Sequence, residues 1–278
     1  MSNLSYMQKA TDRGQLQIHV TTERGFFPIK DASIRLSYTG NPTEIIEELS
    51  TDISGQTAAV ELPAPPLEYS MEPSEFQPYS EYTIQVNASG YRPINISGIS
   101  VLPDKTSIQN VRMETATVEN PLERNIVITA NTLYGNFPPK IPEDEIKPMT
   151  ESGEIVLSRV VIPEYVIVHD GPPSDSSAND YYVRYRDYIK NVASSEIYAT
   201  WPDAALRANI LAIMSFTLNR VYTEWYRNKG YDFTITSSTA FDHKFVYGRN
   251  IFSNISNIVD EMFNSYLSRP NVRQPILT

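Results

Sequence analysis

The stretch at residues 187–218, DYIKNVASSEIYATWPDAALRANILAIMSFTL, constrains the fold of this chain more than any other part of the sequence. It predicts two helices joined by a tight corner. Residues 204–218 are apolar nearly all round, which predicts a core helix with neighbours on several sides. In the helix before the corner, residues at three- and four-residue spacing share one face. They are Tyr185, Ile189, Val192, Ala193 and Glu196.

Glu196 is the only carboxylate on that face. A glutamate on a packing face is costly unless it is paired or keeps its proton. We therefore expect the pKa of Glu196 to lie above its ordinary value of about 4.3, as a general acid near neutral pH requires. The competing interpretation is a solvent-facing residue at the helix C-terminus. In the corner itself, Thr200 and Asp203 predict a capping box, with Pro202 in the first helical turn.

Composition and charge exclude several classes of site. The absence of cysteine excludes disulfides, thiolate metal sites and a cysteine nucleophile. The three histidines, His19, His169 and His243, are far apart in the sequence, so we expect no metal site and no cofactor. Residues 1–150 carry 11 basic and 19 acidic residues, a net charge of −8, which argues against nucleic-acid binding. No apolar run approaches the roughly 18 residues of a transmembrane helix, and the N-terminus does not read as a secretory signal.

Alternating apolar residues predict an all-β sandwich over residues 15–116, after a loose tail at residues 1–14. The predicted strands include LQIHVTT, ASIRLSYTG, TAAVEL, YTIQV, INISGISV and SIQNVRM. Asp52 and Gly55 predict a turn between two of them. Residues 117–150 are rich in proline and charge and predict an extended linker, in which NIVITA has strand character.

Residues 151–278 predict a second, mainly helical domain, so the fold class is α+β with two domains. Two strand-like runs flank Pro163, and a loop then leads into the helix that carries Glu196. Gly230 predicts a helix stop after the core helix. The segment NIFSNISNIVDEMFNSYL predicts a last amphipathic helix, with Ile251 on its apolar face. We expect Asp260 to be solvated or ion-paired. We expect His243 to lie at the surface, with a position lining the cleft as the alternative.

The order of features in the N-terminal domain resembles the transthyretin-like or carboxypeptidase-regulatory family. The matching positions are residues 14–20, Pro28 with residues 31–34, Thr51 and Asp52 with Gly55, residues 82–86, and Gly90 with Tyr91. This resemblance implies a structural or adhesive module. It does not imply a catalyst.

Residues 185–278 resemble the N-terminal part of the SpoIID/LytB family of peptidoglycan lytic transglycosylases. The matching segments are YI (188–189), VASSE (192–196), WP (201–202), AALRA (204–208), YD (231–232), TSST (236–239) and VYG (246–248). The sequence departs from the family pattern at residues 213–218 and at Lys244-Phe245. The order of the two domains is similar to that of SleC-type spore cortex-lytic enzymes.

The resemblance implies that peptidoglycan glycan strands are the substrate and that the product is a 1,6-anhydro sugar. It also implies action at the cell wall or spore cortex. Glu196 takes the position of the family's catalytic acid. The residues expected to contact sugar are Tyr198, Trp201, Ser238, Thr239 and Tyr247.

The alternative function is a non-catalytic peptidoglycan-binding or assembly protein that keeps the fold without the activity. The family's later glycine-rich segments do not follow the last predicted helix. One interpretation is therefore that the SpoIID-like domain is incomplete at its C-terminus, and another is a paralogue that binds glycan without cutting it. The sequence gives no oligomeric state.

Overall fold

The computed structural model describes residues 12–118, 122–133, 137–144 and 156–277. They divide into two compact units whose residues interleave along the chain. The first unit comprises Met1–Tyr134, Tyr198–Trp201 and Tyr247–Asn254, and the second comprises Gly135–Ile197, Pro202–Val246 and Ile255–Thr278. The domain boundaries expected at residues 116 and 150 stay predictions.

The described residues form strands and helices of both classes, as an α+β fold requires. The strands are β1 (Asp12–Thr22), β2 (Ser33–Tyr38), β3 (Asn41–Ser50), β4 (Val60–Ala64), β5 (Ser80–Asn87), β6 (Ile94–Val101), β7 (Thr106–Met113), β8 (Arg124–Val127), β9 (Tyr165–His169), β10 (Asp180–Arg184), β11 (Ile235–Thr236) and β12 (Ile251–Phe252). The helices are α1 (Glu68–Met71), α2 (Tyr185–Glu196), α3 (Asp203–Tyr222) and α4 (Ser253–Met262), with a 3-10 turn at Arg227–Lys229. Among the described residues, no helix combines the length and the apolar character that crossing a membrane requires.

Two sheets make the first unit β-rich. Their strand orders are β4-β1-β7-β12 and β3-β2-β5-β6-β8. Strand β6 of the second sheet packs against β1 and β7 of the first. The predicted alternation is confirmed in β1, where Leu16, Ile18 and Val20 are fully buried. Apolar side chains at every second position share one face of a strand, and that face forms the core.

The turn predicted at Asp52 and Gly55 is confirmed. A side-chain oxygen of Asp52 accepts the backbone N–H groups of Ser54 and Gln56. Gly55 has φ of +74°, and a Cβ there would lie 2.5 Å from the carbonyl oxygen of Val20. Only glycine meets both conditions without strain.

Strand β3 was not predicted from the sequence. It is an edge strand that pairs only with β2 in its sheet, and most of its residues are exposed. Its segment NPTEIIEELS therefore lacks the alternation that one buried face imposes.

Within the predicted linker, residues 124–127 form β8, which pairs with β6 in parallel, so the strand character read from NIVITA is confirmed.

The second unit combines helices with a three-stranded sheet of order β10-β9-β11. A mainly helical domain is therefore not confirmed. Strand β10 is one of the elements that the sequence did not predict: the stretch before α2 was expected to be a loop. The strand expected before Pro163 is wrong for its described part, because residues 156–162 form no strand.

The two helices around the corner are confirmed. Helix α2 buries Tyr185, Ile189, Val192 and Ala193, and α3 buries more than half of its residues. The capping box is wrong. Pro202 occupies the N-cap of α3 without a side-chain hydrogen bond. The carboxylate of Asp203 instead pairs with Arg207 one turn later, at 2.6 Å from Nε.

The ends of the other helices also differ from prediction. Helix α3 ends at Tyr222, and Gly230, with φ of +83°, closes the following 3-10 turn instead of the helix. The last helix begins at Ser253. Ile251 lies in β12 and pairs with Ile108 of β7, so it is not part of the helical face.

Candidate functional site

Three polar side chains of α2 hold the segment at residues 243–246, and all of these residues lie in the second unit. The Tyr188 hydroxyl lies 3.3 Å from Nδ1 of His243. One carboxylate oxygen of Glu196, Oε1, accepts the backbone N–H of Lys244 at 2.7 Å.

Asn191 is the third of these side chains. Its amide donates to the carbonyl oxygen of Val246 at 2.8 Å and accepts the Val246 N–H at 3.0 Å. Asn191 therefore satisfies both backbone groups of Val246, which pairs with no strand among the described residues.

Asp242 anchors the same segment from its other side. Its Oδ2 accepts the Tyr226 hydroxyl at 2.5 Å, and the N–H and hydroxyl of Thr236 at 2.8 Å and 2.6 Å. Its Oδ1 accepts Nε of Arg220 at 2.6 Å. These four groups all donate hydrogen bonds to one carboxylate, and that carboxylate is fully buried. Such a carboxylate is stable in a core because both of its oxygens accept hydrogen bonds and a buried guanidinium group balances its charge.

Arg220 lies between two carboxylates. Besides Asp242, it forms a two-pronged pair with Glu143, at 2.6 Å and 2.7 Å. Burial alone would lower the pKa of Arg220, but the two carboxylates outweigh it and the pKa is raised. The guanidinium group thus ties α3 both to Asp242 and to residues 140–143.

Lys140 lies in the part of the predicted linker that the structure describes. Its ammonium group donates to the backbone carbonyl of Asp242 and lies over the Phe216 ring, 4.9 Å from the centroid. The Ile141 N–H donates to the carbonyl of Ala240 at 2.9 Å. Burial lowers the pKa of Lys140, and the nearby carboxylates of Asp242 and Glu196 act in the opposite direction.

Glu196 is the last residue of α2 and is partly buried. Burial raises the pKa of its carboxyl group. The Lys244 N–H and the charges of Lys140 and Lys244 oppose that shift without cancelling it. In the part of the chain that the structure describes, Oε2 has no hydrogen-bond partner.

This arrangement suits a group that gives up a proton and then takes one back. The raised pKa keeps the carboxyl group protonated to a higher pH than an exposed glutamate. The Lys244 N–H and the two lysine charges stabilise the carboxylate that forms once the proton has left. Oε2 remains for a ligand oxygen. The general-acid role read from the sequence is compatible with this geometry and stays a prediction.

Residues 178–261 match the SpoIID family model, described as "Stage II sporulation protein". The match covers less than a third of the chain and includes Glu196, Arg220 and Asp242. It supports the SpoIID resemblance read from the sequence. Lys140 and Glu143 lie before the matched segment. No curated protein matches this chain.

Solved structures give weaker similarities. The Bacillus anthracis TIE protein is 17% identical, with a TM-score of 0.26, over 38% of this chain and 17% of that one. The minor pilin GBS52 of Streptococcus agalactiae is 13% identical, with a TM-score of 0.27, over 38% and 46%. The 5-hydroxyisourate hydrolase of Klebsiella pneumoniae is 17% identical, with a TM-score of 0.23, over 36% and 86%. Such scores are too low to support a fold assignment, so the transthyretin-like resemblance stays a prediction.

Three of the expected sugar contacts lie in the first unit, whereas Glu196 lies in the second. Trp201 donates its indole N–H to the carbonyl of Ser70 at 2.9 Å. The Tyr247 hydroxyl contacts the guanidinium group of Arg124. The hydroxyl of Tyr198, which is buried, accepts the Leu133 N–H at 3.4 Å. Each of these side chains has a role inside the first unit.

Ser238 and Thr239 lie in the second unit with Glu196 and are partly buried. The carbonyl of Ser238 accepts the N–H groups of Phe241 at 3.0 Å and Asp242 at 2.7 Å. Ser238 therefore forms the turn that leads into the segment held by α2. Neither residue is shown in contact with Glu196.

The expectation of a surface position for His243 is wrong. The ring is buried, lies 4.6 Å from the Phe216 ring, and contacts the Tyr188 hydroxyl. Burial lowers its pKa well below the ordinary value, so the ring is neutral. Asp260 is ion-paired as expected, with Lys190 at 2.7 Å.

Sequence reasoning missed Lys140, Arg220 and Asp242. Arg220 gave a usable signal, because an arginine near the end of an apolar core helix needs a buried acidic partner. Lys140 lies in a proline-rich stretch and Asp242 in a polar one, and neither stretch has a periodicity that would mark a residue near the site. Among the described residues, no group of three or more histidine, cysteine or acidic side chains could hold a metal ion.

A separate cavity of about 190 Å³ lies in the second unit, and Glu196 is not among its lining residues. Aromatic side chains and one ion pair form much of its wall. They are Tyr165, Trp225, Tyr226, Phe233, and Glu224 with Arg227.

Proposed function

We propose that this protein cleaves peptidoglycan glycan strands by lytic transglycosylation, with Glu196 as the catalytic acid and then the catalytic base. The observation that carries the proposal is a desolvated carboxyl group with a raised pKa, fixed by the Lys244 N–H, inside the segment that matches the SpoIID family. The family match supports a role connected with sporulation and the cell wall. The reaction type goes beyond that match.

The reaction needs only one carboxyl group and no water. Protonated Glu196 gives its proton to the oxygen that joins N-acetylmuramic acid to N-acetylglucosamine, and the bond from this oxygen to C1 breaks. The 6-hydroxyl oxygen of the same muramic acid then bonds to C1. The carboxylate of Glu196 takes the hydroxyl proton, so the enzyme returns to its starting state. The products are a 1,6-anhydro end and a new sugar hydroxyl.

A single carboxylate distinguishes this scheme from glycoside hydrolysis. Hydrolases use two carboxyl groups, one of which activates water or attacks the sugar. Residues 242–246 contain one carboxylate, Asp242, and its oxygens accept four donors inside the protein. Asp242 is therefore a support for the segment and is not available as a second catalytic group.

The test uses purified cell wall and spore cortex as substrates. We expect the protein to release muropeptides with anhydro ends, which mass spectrometry separates from reducing ends because they are lighter by one water. Glu196→Gln keeps the side-chain size and an oxygen that accepts the Lys244 N–H. This variant should lose at least 100-fold in rate, the usual contribution of a positioned general acid, while its circular dichroism spectrum stays unchanged.

Glu261→Gln is the matched control, because Glu261 is an exposed partner of Arg207 in the same unit. It should cleave like the parent. Reducing ends in the products would replace the transglycosylase proposal with a hydrolase. Undiminished cleavage by Glu196→Gln would remove Glu196 from the mechanism.

The second candidate is a non-catalytic peptidoglycan-binding or assembly protein. The observation in its favour is that the sequence departs from the family pattern at Lys244-Phe245, where the backbone N–H of Lys244 binds Glu196. Such a protein would sediment with insoluble wall and release nothing, and Glu196→Gln would sediment equally well. Both candidates act at the cell wall or spore cortex.

A further inference from the structure

Two groups bind the short backbone segment at residues 242–244 from opposite ends. The Lys140 ammonium group donates to the carbonyl of Asp242, and the Glu196 carboxylate accepts the N–H of Lys244. Only the His243 residue separates the two peptide groups. The ammonium and the carboxylate are thus held near one another by the same piece of chain.

We propose that Lys140 is a positioning residue for Glu196: it fixes the 242–244 backbone that holds the carboxylate and supplies the positive charge beside it. This inference rests on the proposed role of Glu196 and extends it. Lys140 precedes the SpoIID-matching segment at residues 178–261, so part of the support for the site comes from outside that segment.

Residues 140–143 form a strap, and three contacts fasten it to the second unit. They are the Lys140 bond to Asp242, the Ile141 bond to Ala240, and the ion pair between Glu143 and Arg220. Arg220 is buried and Glu143 is mostly buried. Because Ile141 and Glu143, which closely follow Lys140, are both fastened, the ammonium group stays in place without a direct bond to Glu196.

Other titratable groups also face this region. Lys244 acts on Glu196 with the same sign as Lys140. Tyr188 and His243 are buried and neutral, since burial raises the pKa of the tyrosine and lowers that of the histidine. Arg220 and Asp242 bind each other. Lys140 is therefore the residue of the strap whose positive charge stabilises the Glu196 carboxylate.

The experiment measures the protonation of Glu196 directly and does not depend on activity. The side-chain carboxyl carbons of the glutamates are labelled with ¹³C, and Glu196 is assigned from the spectrum of Glu196→Gln. Titration by NMR then gives its pKa in the parent, Lys140→Met, Lys140→Arg and Lys190→Met. Lys190 is the matched control, because its ammonium group lies on the same helix as Glu196 and pairs with Asp260.

We expect Lys140→Met to raise the pKa of Glu196 by about one unit, since an adjacent cation favours the carboxylate by at least that much. Lys140→Arg keeps the charge and should restore the parent value to within a few tenths of a unit. Lys190→Met should change nothing. An unchanged pKa in folded Lys140→Met, or an equal rise in Lys190→Met, would overturn the proposal.

A reciprocal measurement covers the case in which Lys140→Met does not fold. The coupling acts on both groups, so Glu196→Gln should lower the pKa of Lys140, followed through its ¹³Cε signal. No change there would overturn the proposal as well. If the protein cleaves wall, the alkaline limb of its rate profile should move to higher pH in Lys140→Met. If it cleaves nothing while the NMR shift is present, the proposed function fails and the role of Lys140 stands.

Discussion

Two ion pairs of the second unit have the same distance between arginine Nε and carboxylate oxygen but differ in burial, and they give a test of the Asp242 contacts. Arg220 Nε lies 2.6 Å from Asp242, and Arg207 Nε lies 2.6 Å from Asp203. The side chains of the first pair are 1% and 0% exposed, and those of the second pair are 38% and 68% exposed. We compare Asp242→Asn with Asp203→Asn.

An asparagine at position 242 cannot satisfy its neighbours. The two oxygens of Asp242 accept four donors, three on Oδ2 and one on Oδ1. An amide has one acceptor, so in either orientation its NH₂ group faces a donor. Breaking a buried pair by removing one charge costs about 3–5 kcal/mol. The exposed pair contributes far less, since water screens it.

The assay is thermal unfolding followed by tryptophan fluorescence. The chain has two tryptophans. Trp201 belongs to the first unit and Trp225 to the second, so a Trp201→Phe background reports the second unit alone. We expect Asp242→Asn to lower the thermal midpoint by roughly 10 °C and Asp203→Asn to change it by less than about 2 °C. Equal losses from the two substitutions would refute the conclusion that burial decides the strength of these pairs.

Two further predictions concern the stability of each unit. Because burial depresses the pKa of His243 in the folded chain, the unfolded chain binds a proton first; the second unit should lose stability as the pH falls below about 6.5. His243→Gln should flatten that slope in urea unfolding at pH 5 and 7, and an unchanged slope would contradict the assignment. In the first unit, a Cβ on Gly14 would lie 2.1 Å from the backbone oxygen of Leu102, so Gly14→Ala should cost more than about 2 kcal/mol. Gly90 has open space around it but φ of +84°, so Gly90→Ala should cost only about 1–2 kcal/mol, and equal losses would show that the close approach at Gly14 is relieved by movement.

The position of Glu196 in the helix was readable from the sequence because helical spacing is local. Tyr185, Ile189 and Val192 set the buried face of α2, and Glu196 follows on that face. Spacing gives no information about the partner across the helix. The Lys244 N–H that binds Glu196 is separated from it by 48 residues, and the polar residues 242–244 carry no apolar pattern that would place them beside the helix.

The errors in the predicted elements have a related physical origin. The capping box at Thr200 and Asp203 was plausible from residue types, but Pro202 took the N-cap and Asp203 found a partner in Arg207. Strand β3 escaped prediction because an edge strand exposes most of its side chains. Ile251 was assigned to a helix because apolar spacing does not show whether a neighbouring strand will take the residue.

The sequence by itself determined the β-rich N-terminal region, the two helices around the corner and the carboxylate at the end of the first one. These follow from residue order over a few turns or strands, where the backbone period fixes which side chains share a face. Only the tertiary structure decided that Arg220 and Lys140 both bind Asp242, two residues before the Lys244 N–H that holds Glu196. A buried charge is tolerated only where distant parts of the chain supply its partners, and no local pattern encodes that meeting.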